Sequence, residues 1–344
     1  MVTPTVDSIL SNKKGTPMNE HFIKNIEIKN FKCFDDFKAE GFGRVNLIGG
    51  KNNVGKTAFM EALFFNTTVI KFSFESLIKS LISIHVFRNY QMLYTLSDAN
   101  NNAYSQLIFS FLKEYFNVSL LTNKNNLTIK LKNNEVIINI DDKIFTNNDF
   151  DSIFIETKIP LAHNFISSLF IGGEQLINLY DGVKLLRKRE EINKFINKFD
   201  SDLGEYEIID AMPVCFSKKL NTFVNLDAYG NGLKRYIAYV CAIWANQGGY
   251  IFIDEVENGI HYTNLDKLWE VLLQTSKEAN CQLFITTHSK ECIESYARVA
   301  KKLEDEEIAF IELGRNKNDE LKAMVYPYEW FHDEIEQDHE VRGW

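Results

Sequence analysis

Several features that mark common protein classes are missing from this 344-residue sequence. No segment reaches the ~18 consecutive apolar residues that a membrane span needs, and residues 1–19 lack the apolar core of a signal peptide. No sustained heptad pattern predicts a coiled-coil arm. The cysteines form no C-x-x-C pair and are odd in number, which argues against a zinc site and against a disulfide framework. They are Cys33, Cys215, Cys241, Cys281 and Cys292.

These absences predict a cytoplasmic protein with no membrane partner, whose thiols are reduced and structural. An excess of positive charge is also missing, because the formal net charge is −9. That balance argues against a broadly basic surface for nucleic acid. It does not exclude a local basic groove at residues 184–189 (Lys-Leu-Leu-Arg-Lys-Arg). Residues 1–19 are expected to be a flexible extension.

The pattern of apolar runs predicts an α/β fold. Strands predicted at 44–48, 250–253 and 282–285 alternate with helices predicted at 58–66 and 265–278, which favours a mostly parallel sheet covered on both faces. Further predicted elements are a strand within 22–34, helical stretches at 70–100 and 168–200, and β-prone runs at 106–111, 127–131, 136–140 and 153–156.

The strongest local signal is residues 50–57, Gly-Lys-Asn-Asn-Val-Gly-Lys-Thr, which fit G-x-x-x-x-G-K-[ST] without a mismatch. A predicted strand precedes this stretch and a predicted helix follows it, which is the context that a phosphate loop requires. Lys56 would reach the β- and γ-phosphates of ATP, and the Thr57 hydroxyl would be a ligand of Mg²⁺. The predicted nucleotide-binding residues are Gly50, Asn52, Asn53, Gly55, Lys56, Thr57 and Ala58.

A second signal is the run 250–255, four large apolar residues that end in Asp254 and Glu255. A strand that delivers carboxylates at its carboxyl end suits the crevice where α/β sheets bind ligands. Asp254 would hold Mg²⁺, together with Thr57, and Glu255 could polarise the attacking water as a catalytic base. Taken alone, a strand that ends in acids at a turn is common; the phosphate loop makes the catalytic interpretation persuasive.

His288 follows the next apolar strand, in Ile285-Thr-Thr-His-Ser289. A histidine there could bind the γ-phosphate or position the water, which makes it the second catalytic candidate. A lone histidine after a strand is more often structural, but its order in the chain, after the acidic pair, favours the functional interpretation.

The last signal is a glycine pair that opens a helix, Gly230-Asn231-Gly232. The amino end of a helix is in principle an anion site. An ordinary turn, with glycines serving backbone needs, is the alternative.

These four elements in this order resemble the ABC-type ATPases of the SMC/RecF branch, and more closely the stand-alone ATPases related to the OLD (overcoming lysogenization defect) family. Residues 28–34 look like the first strand and turn of that branch, residues 255–261 like its D-loop and residues 286–289 like its H-loop. Residues 340–342 are similar to short relatives of the group. The resemblance covers roughly residues 20–70 and 220–344.

The resemblance implies a P-loop head in which two copies of the chain enclose two ATP molecules. Each ATP would touch the phosphate loop of one chain and Gly230, Asn231 and Gly232 of the other. The family's signature serine is replaced by Gly230, although Asn231 can still donate a hydrogen bond to phosphate. Two residues, Gln91 and Gln106, are candidates for the Q-loop glutamine.

On this interpretation the chain divides into four parts. Residues 1–19 are the extension, 20–165 the N-terminal part of the ATPase lobe with its β-rich insertion, 166–244 a helical lobe with the signature, and 245–344 the C-terminal part of the ATPase lobe.

For the biological role, the resemblance favours the ATPase or sensor subunit of a prokaryotic anti-phage defence system. Full OLD proteins carry a TOPRIM nuclease, for which the residues after His288 leave no room, so a separately encoded TOPRIM-like nuclease or other effector is the expected partner. The alternative is a RecF/SMC-like DNA-repair ATPase that acts directly on DNA. A transporter subunit is a third reading, disfavoured by the SMC-like opening and the missing signature serine.

Overall fold

The computed structural model describes residues 21–69, 81–82, 115, 117–132, 135–146, 164–168 and 173–331. Several predictions lie outside these residues: the extension at 1–19, most of the helical stretch at 70–100, the strands at 106–111 and 153–156, the candidates Gln91 and Gln106, and residues 340–342.

The strands are numbered in chain order. They are β1 (Asn25–Phe31), β2 (Phe34–Glu40), β3 (Val45–Gly50), β4 (Val118–Thr122), β5 (Asn126–Lys132), β6 (Glu135–Ile140), β7 (Lys143–Phe145), β8 (Phe165–Ile166), β9 (Leu203–Ile209), β10 (Met212–Ser217), β11 (Thr222–Asn225), β12 (Tyr250–Ile253), β13 (Gln282–Thr286), β14 (Ile308–Arg315) and β15 (Leu321–Pro327). The helices are α1 (Lys56–Val69), α2 (Gly173–Leu185), α3 (Arg189–Phe199), α4 (Asn231–Ala245), α5 (Leu265–Glu278) and α6 (Lys290–Lys302).

A six-stranded sheet in the order β15-β14-β3-β13-β12-β8 forms the centre of the molecule. All its strand pairs are parallel except β14 and β15, which run antiparallel. The prediction of a mostly parallel sheet is therefore confirmed. Because the strands are parallel, the carboxyl ends of β3, β12 and β13 lie at one edge, where the phosphate loop, the acidic pair and the histidine follow them.

The central strands β3, β12, β13 and β14 are buried on both faces, as their apolar sequences predict. Along β12, Ile251 and Ile253 belong to the core beneath the helices α4, α5 and α6. Phe252 points to the opposite face, where its ring lies 5.5 Å from that of Phe64 on α1. Alternate residues of one strand thus join two separate cores, because side chains point to opposite faces of a sheet.

The N-terminal part is rich in strands, as expected. A second sheet in the order β2-β1-β4-β5-β6-β7 packs against the α1 face of the central sheet. Its pairings are antiparallel, and β5 and β6 fall where the sequence predicts strands. The strands β2, β4 and β7 were not predicted.

The lobe predicted to be helical, residues 166–244, is mixed. The helices α2, α3 and α4 are present, but residues 203–225 form a three-stranded antiparallel sheet in the order β11-β10-β9. These three strands were not among the elements predicted for the helical lobe. The sheet has one buried side, with Tyr206 and Cys215 packed in the core shared with α2 and α4.

Two predictions drawn from missing features can be compared with the fold. All five cysteines lie in the described part of the chain and none is paired; Cys33 is exposed and the other four are buried. Within the described ranges, none of the helices is both long and apolar enough to cross a membrane.

Candidate active site

The loop at residues 50–57 connects β3 to α1. Gly50, Asn53 and Gly55 have φ angles of 138°, 64° and 85°, a left-handed region that glycine adopts without steric cost. A Cβ atom on Gly50 would lie 2.3 Å from the carbonyl oxygen of Leu313, and one on Gly55 would lie 2.6 Å from the Cys33 Sγ atom. Both glycines are therefore required by backbone conformation and by close approach, which is the local form that a phosphate loop takes.

Lys56 folds back over this loop. Its Nζ atom donates hydrogen bonds to the carbonyl oxygens of Gly50 and Lys51, at 2.8 and 2.9 Å. Burial lowers the pKa of the Lys56 ammonium, whereas the nearby carboxylates of Glu255, Glu257 and Asp254 raise it. A phosphate group would give this cation a charged partner in place of two neutral carbonyls, and charge-assisted hydrogen bonds are the stronger kind.

The other predicted loop residues surround Lys56. Asn52 and Asn53 are exposed, Thr57 is half-buried, and Ala58 is buried in the first turn of α1. The first backbone hydrogen bond of the helix runs from the N–H of Phe59 to the carbonyl of Gly55, at 2.8 Å. The preceding N–H groups at the amino end of α1 are those that a phosphate would meet.

Asp254 joins the loop to two strand ends. Its Oδ1 atom accepts hydrogen bonds from the hydroxyls of Thr286, at 2.6 Å, and Thr57, at 3.2 Å. Burial raises the pKa of the Asp254 carboxyl, an effect that these two hydroxyl donors oppose. Two oxygen ligands, the Thr57 hydroxyl and the Asp254 carboxylate, therefore face the same point.

This pair of oxygens suits Mg²⁺. Magnesium is usually held by one or two carboxylates together with water and substrate phosphates, rather than by a complete protein cage. In the described part of the chain, no group of three or more His, Cys, Asp and Glu side chains could hold a metal ion alone. The donor set thus fits a cation that the nucleotide phosphates help to bind.

Glu255 is fixed at both its backbone and its side chain. It has a φ angle of 49°, an unusual backbone conformation for a residue other than glycine. Its N–H donates to the hydroxyl of Thr286 at 2.8 Å, and its Oε2 atom accepts a hydrogen bond from the Asn258 amide at 2.8 Å. The carboxylate is partly exposed, so a water molecule can reach it.

His288 lies beside Glu255 and a further carboxylate. Its Nδ1 atom is 3.8 Å from an oxygen of Glu255 and 3.3 Å from Oε1 of Glu257. The same Glu257 oxygen accepts the backbone N–H of His288, at 3.1 Å. The other oxygen of Glu257 is buried and has no hydrogen-bond partner among the residues that the structure describes.

Within the single chain, the predicted signature contacts the loop at 255–261, and its contact with the nucleotide of a second copy stays a prediction. Gly230 is the N-cap of α4 and gives it no side-chain hydrogen bond, and the first turn carries no acidic residue. A Cβ atom on Gly232 would lie 2.5 Å from the carbonyl oxygen of Gly259, and Gly259 packs in turn on Asn231. The start of α4 thus packs on the 255–261 loop of its own chain.

Three residues of this site were not predicted from the sequence. Thr286 binds Asp254 and the backbone of Glu255, Asn258 binds the carboxylate of Glu255, and Glu257 faces His288. All three lie inside stretches already noted as D-loop and H-loop. The type of residue was visible, but the direction of each side chain was not.

Comparison with known proteins places this site in a family. The family model described as "AAA domain, putative AbiEii toxin, Type IV TA system" matches residues 45–294, a span that includes the loop at 50–57, the acidic pair and His288. A protein of Helicobacter pylori named "ATP/GTP phosphatase" is 28% identical, over 81% of this chain and 88% of the relative.

Solved structures show the same fold. A crystal structure of the SmcHead bound to the C-winged helix domain of ScpA covers 90% of this chain and 98% of its own, with a TM-score of 0.52 and 12% identity. The Smc head domain with an extended coiled coil, bound to the C-terminal domain of ScpA derived from Pyrococcus furiosus, covers 92% and 99%, with a TM-score of 0.50 and 10% identity. The architecture is that of an ABC/SMC-like P-loop ATPase.

Proposed function

We propose that ATP acts in this chain as a switch that joins two copies. The chain belongs to the family described as "AAA domain, putative AbiEii toxin, Type IV TA system". It is an ATPase. The nucleotide site of this switch is supported most directly by five side chains that lie at one edge of the central sheet: Lys56, Thr57, Asp254, Glu255 and His288.

We assign binding of the triphosphate to the loop at 50–57. The N–H groups at the start of α1 would face the phosphates, and Lys56 would leave the carbonyls of Gly50 and Lys51 to bind them. Thr57 and Asp254 would hold Mg²⁺, which neutralises charge on the phosphate oxygens when it is bound. Asp254 is already turned toward Thr57 by its hydrogen bond, so little side-chain movement is needed.

We assign hydrolysis to Glu255 and His288. Glu255 would accept a proton from the attacking water, because its carboxylate is partly exposed and held in place by Thr286 and Asn258. With both ring nitrogens protonated, His288 would donate a hydrogen bond from Nδ1 to Glu257, which it faces, and another from Nε2 to the γ-phosphate.

The signature residues would bind the nucleotide that is held by a second copy of the chain. Gly230, Asn231 and Gly232 form an uncapped helix start with no acidic residue in its first turn, so its N–H groups can receive an anion. Within one chain this helix start contacts the 255–261 loop. A phosphate bound to a second chain would supply the anion in a twofold arrangement.

The dimer is tested by sedimentation of the Glu255→Gln variant, which should bind ATP without hydrolysing it. We expect a dimer with Mg²⁺-ATP and a monomer with ADP. Lys56→Ala is the control that should stay monomeric with either nucleotide. A Glu255→Gln protein that binds ATP and remains a monomer at high concentration would contradict the switch.

For the biological role we propose the ATPase subunit of an anti-phage defence system that works with a separate nuclease or other effector. The family description names a putative AbiEii toxin and a Type IV TA system, and a system of separate components is compatible with a separately encoded partner. The test is recovery of tagged Glu255→Gln protein from its native host with and without Mg²⁺-ATP, followed by mass spectrometry. An effector recovered in stoichiometric amount only with ATP is the expected result. Recovery of DNA without a protein partner would favour the repair-type ATPase instead.

A further inference from the structure

Asn258 occupies a position that the assigned roles do not explain. It lies three residues after the proposed base, and its Nδ2 atom donates to Oε2 of Glu255 at 2.8 Å. The same nitrogen donates a longer hydrogen bond, of 3.4 Å, to the carbonyl oxygen of Ser168. We propose that Asn258 is a positioning residue that orients Glu255 and connects it to the signature helix α4.

Asn258 orients the carboxylate of Glu255. Its φ angle of 49° and the bond from its N–H to Thr286 fix where its side chain begins. Neither feature fixes the carboxylate itself, which sits at the end of three rotatable bonds. The amide of Asn258 holds one carboxylate oxygen and leaves the other directed toward His288, at 3.8 Å from Nδ1. One oxygen is therefore held while the other is available to a water molecule.

Asn258 is connected to α4 through the carbonyl of Ser168. The carbonyl oxygen of Ser168, which lies just after β8, also accepts a hydrogen bond from the guanidinium of Arg235. Arg235 is buried in α4 and donates a further bond to the carbonyl of Ser167, at 3.3 Å. One carbonyl thus joins the side chain that orients Glu255 to a side chain of the signature helix.

Two more contacts attach α4 to the same loop. The hydroxyl of Tyr239 donates to the carbonyl of Val256 at 3.2 Å, and Gly232 lies against the carbonyl of Gly259. The loop that carries Asn258 is therefore bound to α4 on both sides of that residue. A displacement of α4 would move Asn258, and with it the carboxylate of Glu255.

This arrangement gives α4 a role in hydrolysis within its own chain. If the nucleotide of a second copy engages the start of α4, the contact is transmitted through Arg235, Ser168 and Asn258 to Glu255. Hydrolysis in one site then depends on occupancy of the other. This inference rests on the proposed role of Glu255 as the base.

The test is a double-mutant cycle measured as kcat at saturating ATP. Asn258→Asp keeps the shape of the side chain but replaces the donor with an acceptor, and we expect kcat to fall about 10-fold with little change in KM or in ADP affinity. In the Glu255→Gln background the same substitution should change the residual rate less than 2-fold, because the carboxylate that Asn258 orients is gone. Should the Asp variant fail to fold, Asn258→Ala is measured instead.

The matched control is Asn246→Asp, which removes a side-chain amide bond to the Ala242 carbonyl before β12, at the opposite end of that strand. It should leave kcat unchanged. A wild-type kcat for Asn258→Asp, or an equal fold loss in both backgrounds, would overturn the positioning role. A wild-type rate for Glu255→Gln would instead contradict the proposed base, so the two failures are distinguishable.

Arg235→Lys tests the far end of the connection. Lysine keeps the positive charge but cannot hold two carbonyls with a rigid fork. We expect kcat to fall about 3-fold, and the double variant with Asn258→Asp to be no slower than Asn258→Asp alone. Multiplication of the two effects would mean that Arg235 acts by another route, which would overturn the connection to α4.

Discussion

The edge of the central sheet and the start of α4 both carry predicted nucleotide ligands, but their surroundings differ. At the sheet edge, Thr57 and Thr286 both donate to Asp254, and three carboxylates oppose the lowering of the Lys56 pKa by burial. At the start of α4, Gly232 contacts a backbone carbonyl of its own chain, and the N-cap gives no side-chain bond. The first region has complementary charges in one chain, whereas the second offers backbone donors and the side-chain amide of Asn231.

This difference teaches that the two regions should respond differently to substitution. Changes at the sheet edge should affect chemistry in each chain by itself. Changes at the start of α4 should affect association and, through Asn258, the position of the Glu255 carboxylate, but not nucleotide binding by the single chain.

Lys56→Ala should reduce ATP hydrolysis at least about 100-fold, because it removes the cation that would stabilise charge developing on the phosphates. Lys51→Ala is the matched control in the same loop and should keep most of the activity, since the backbone carbonyl through which Lys51 contacts the site lysine is kept. Phosphate release is the measurement. Comparable rates for wild type and Lys56→Ala would place the chemistry elsewhere.

Glu255→Gln should lower kcat about 100-fold while ATP still binds, because general-base catalysis is typically worth 10²–10⁴-fold. Single-turnover hydrolysis and equilibrium nucleotide binding separate the two effects. Glu294→Gln, an exposed carboxylate paired with Lys290 on α6, is the control and should be neutral. Loss of binding in parallel with loss of turnover would argue against a role confined to the reaction step.

Gly232→Ala should weaken ATP-dependent association about 10-fold, because relief of an overpacked contact, which typically costs ~1–3 kcal/mol, would displace the start of α4 from the position in which it meets the second nucleotide. The added Cβ would lie 2.5 Å from the carbonyl of Gly259. Nucleotide affinity of the separate monomer should stay unchanged. Gly204→Ala is the control, since its Cβ would meet nothing closer than 3.5 Å. Sedimentation of both variants in the Glu255→Gln background gives the answer; a loss of monomer affinity would erase the contrast between the regions.

Asp254→Asn should abolish turnover. It should also raise the free energy of unfolding by about 1 kcal/mol, because a residue that function requires can lower the stability of the fold. Burial raises the pKa of Asp254, so the folded protein holds this proton more tightly than the unfolded chain does. The contribution of Asp254 to stability therefore falls as pH rises from its unfolded pKa through its folded one, and stays low above.

The contrasting variant is Asp266→Asn, whose hydrogen bond from Arg298 lowers the pKa of the Asp266 carboxyl. Here the sign reverses, so stability is lost as pH falls through the folded pKa, and the substitution should be mildly destabilising. Urea unfolding at several pH values measures both. Destabilisation by Asp254→Asn above its folded pKa would show that ionised Asp254 supports the fold.

Much of the sheet edge followed from the sequence. The loop at 50–57, the apolar run before Asp254 and the run before His288 are continuous stretches, and parallel strands bring their carboxyl ends together. The three-stranded sheet at 203–225 did not follow, because its strands are short, half-exposed and interrupted by turns at Asp210 and Asn221. Their amphipathic pattern is too brief to distinguish strands from a continuation of the helical lobe.

The sequence by itself determined the P-loop, the acidic pair and the order of the elements around them, since each depends on residues that are neighbours in the chain. Only the tertiary structure decided which side chains hold Glu255. Asn258 meets Ser168, and Ser168 meets Arg235, across separations of 90 and 67 residues. Contacts of that kind are set by how α4 packs on the sheet, and no local pattern encodes the direction of a side chain across such a distance.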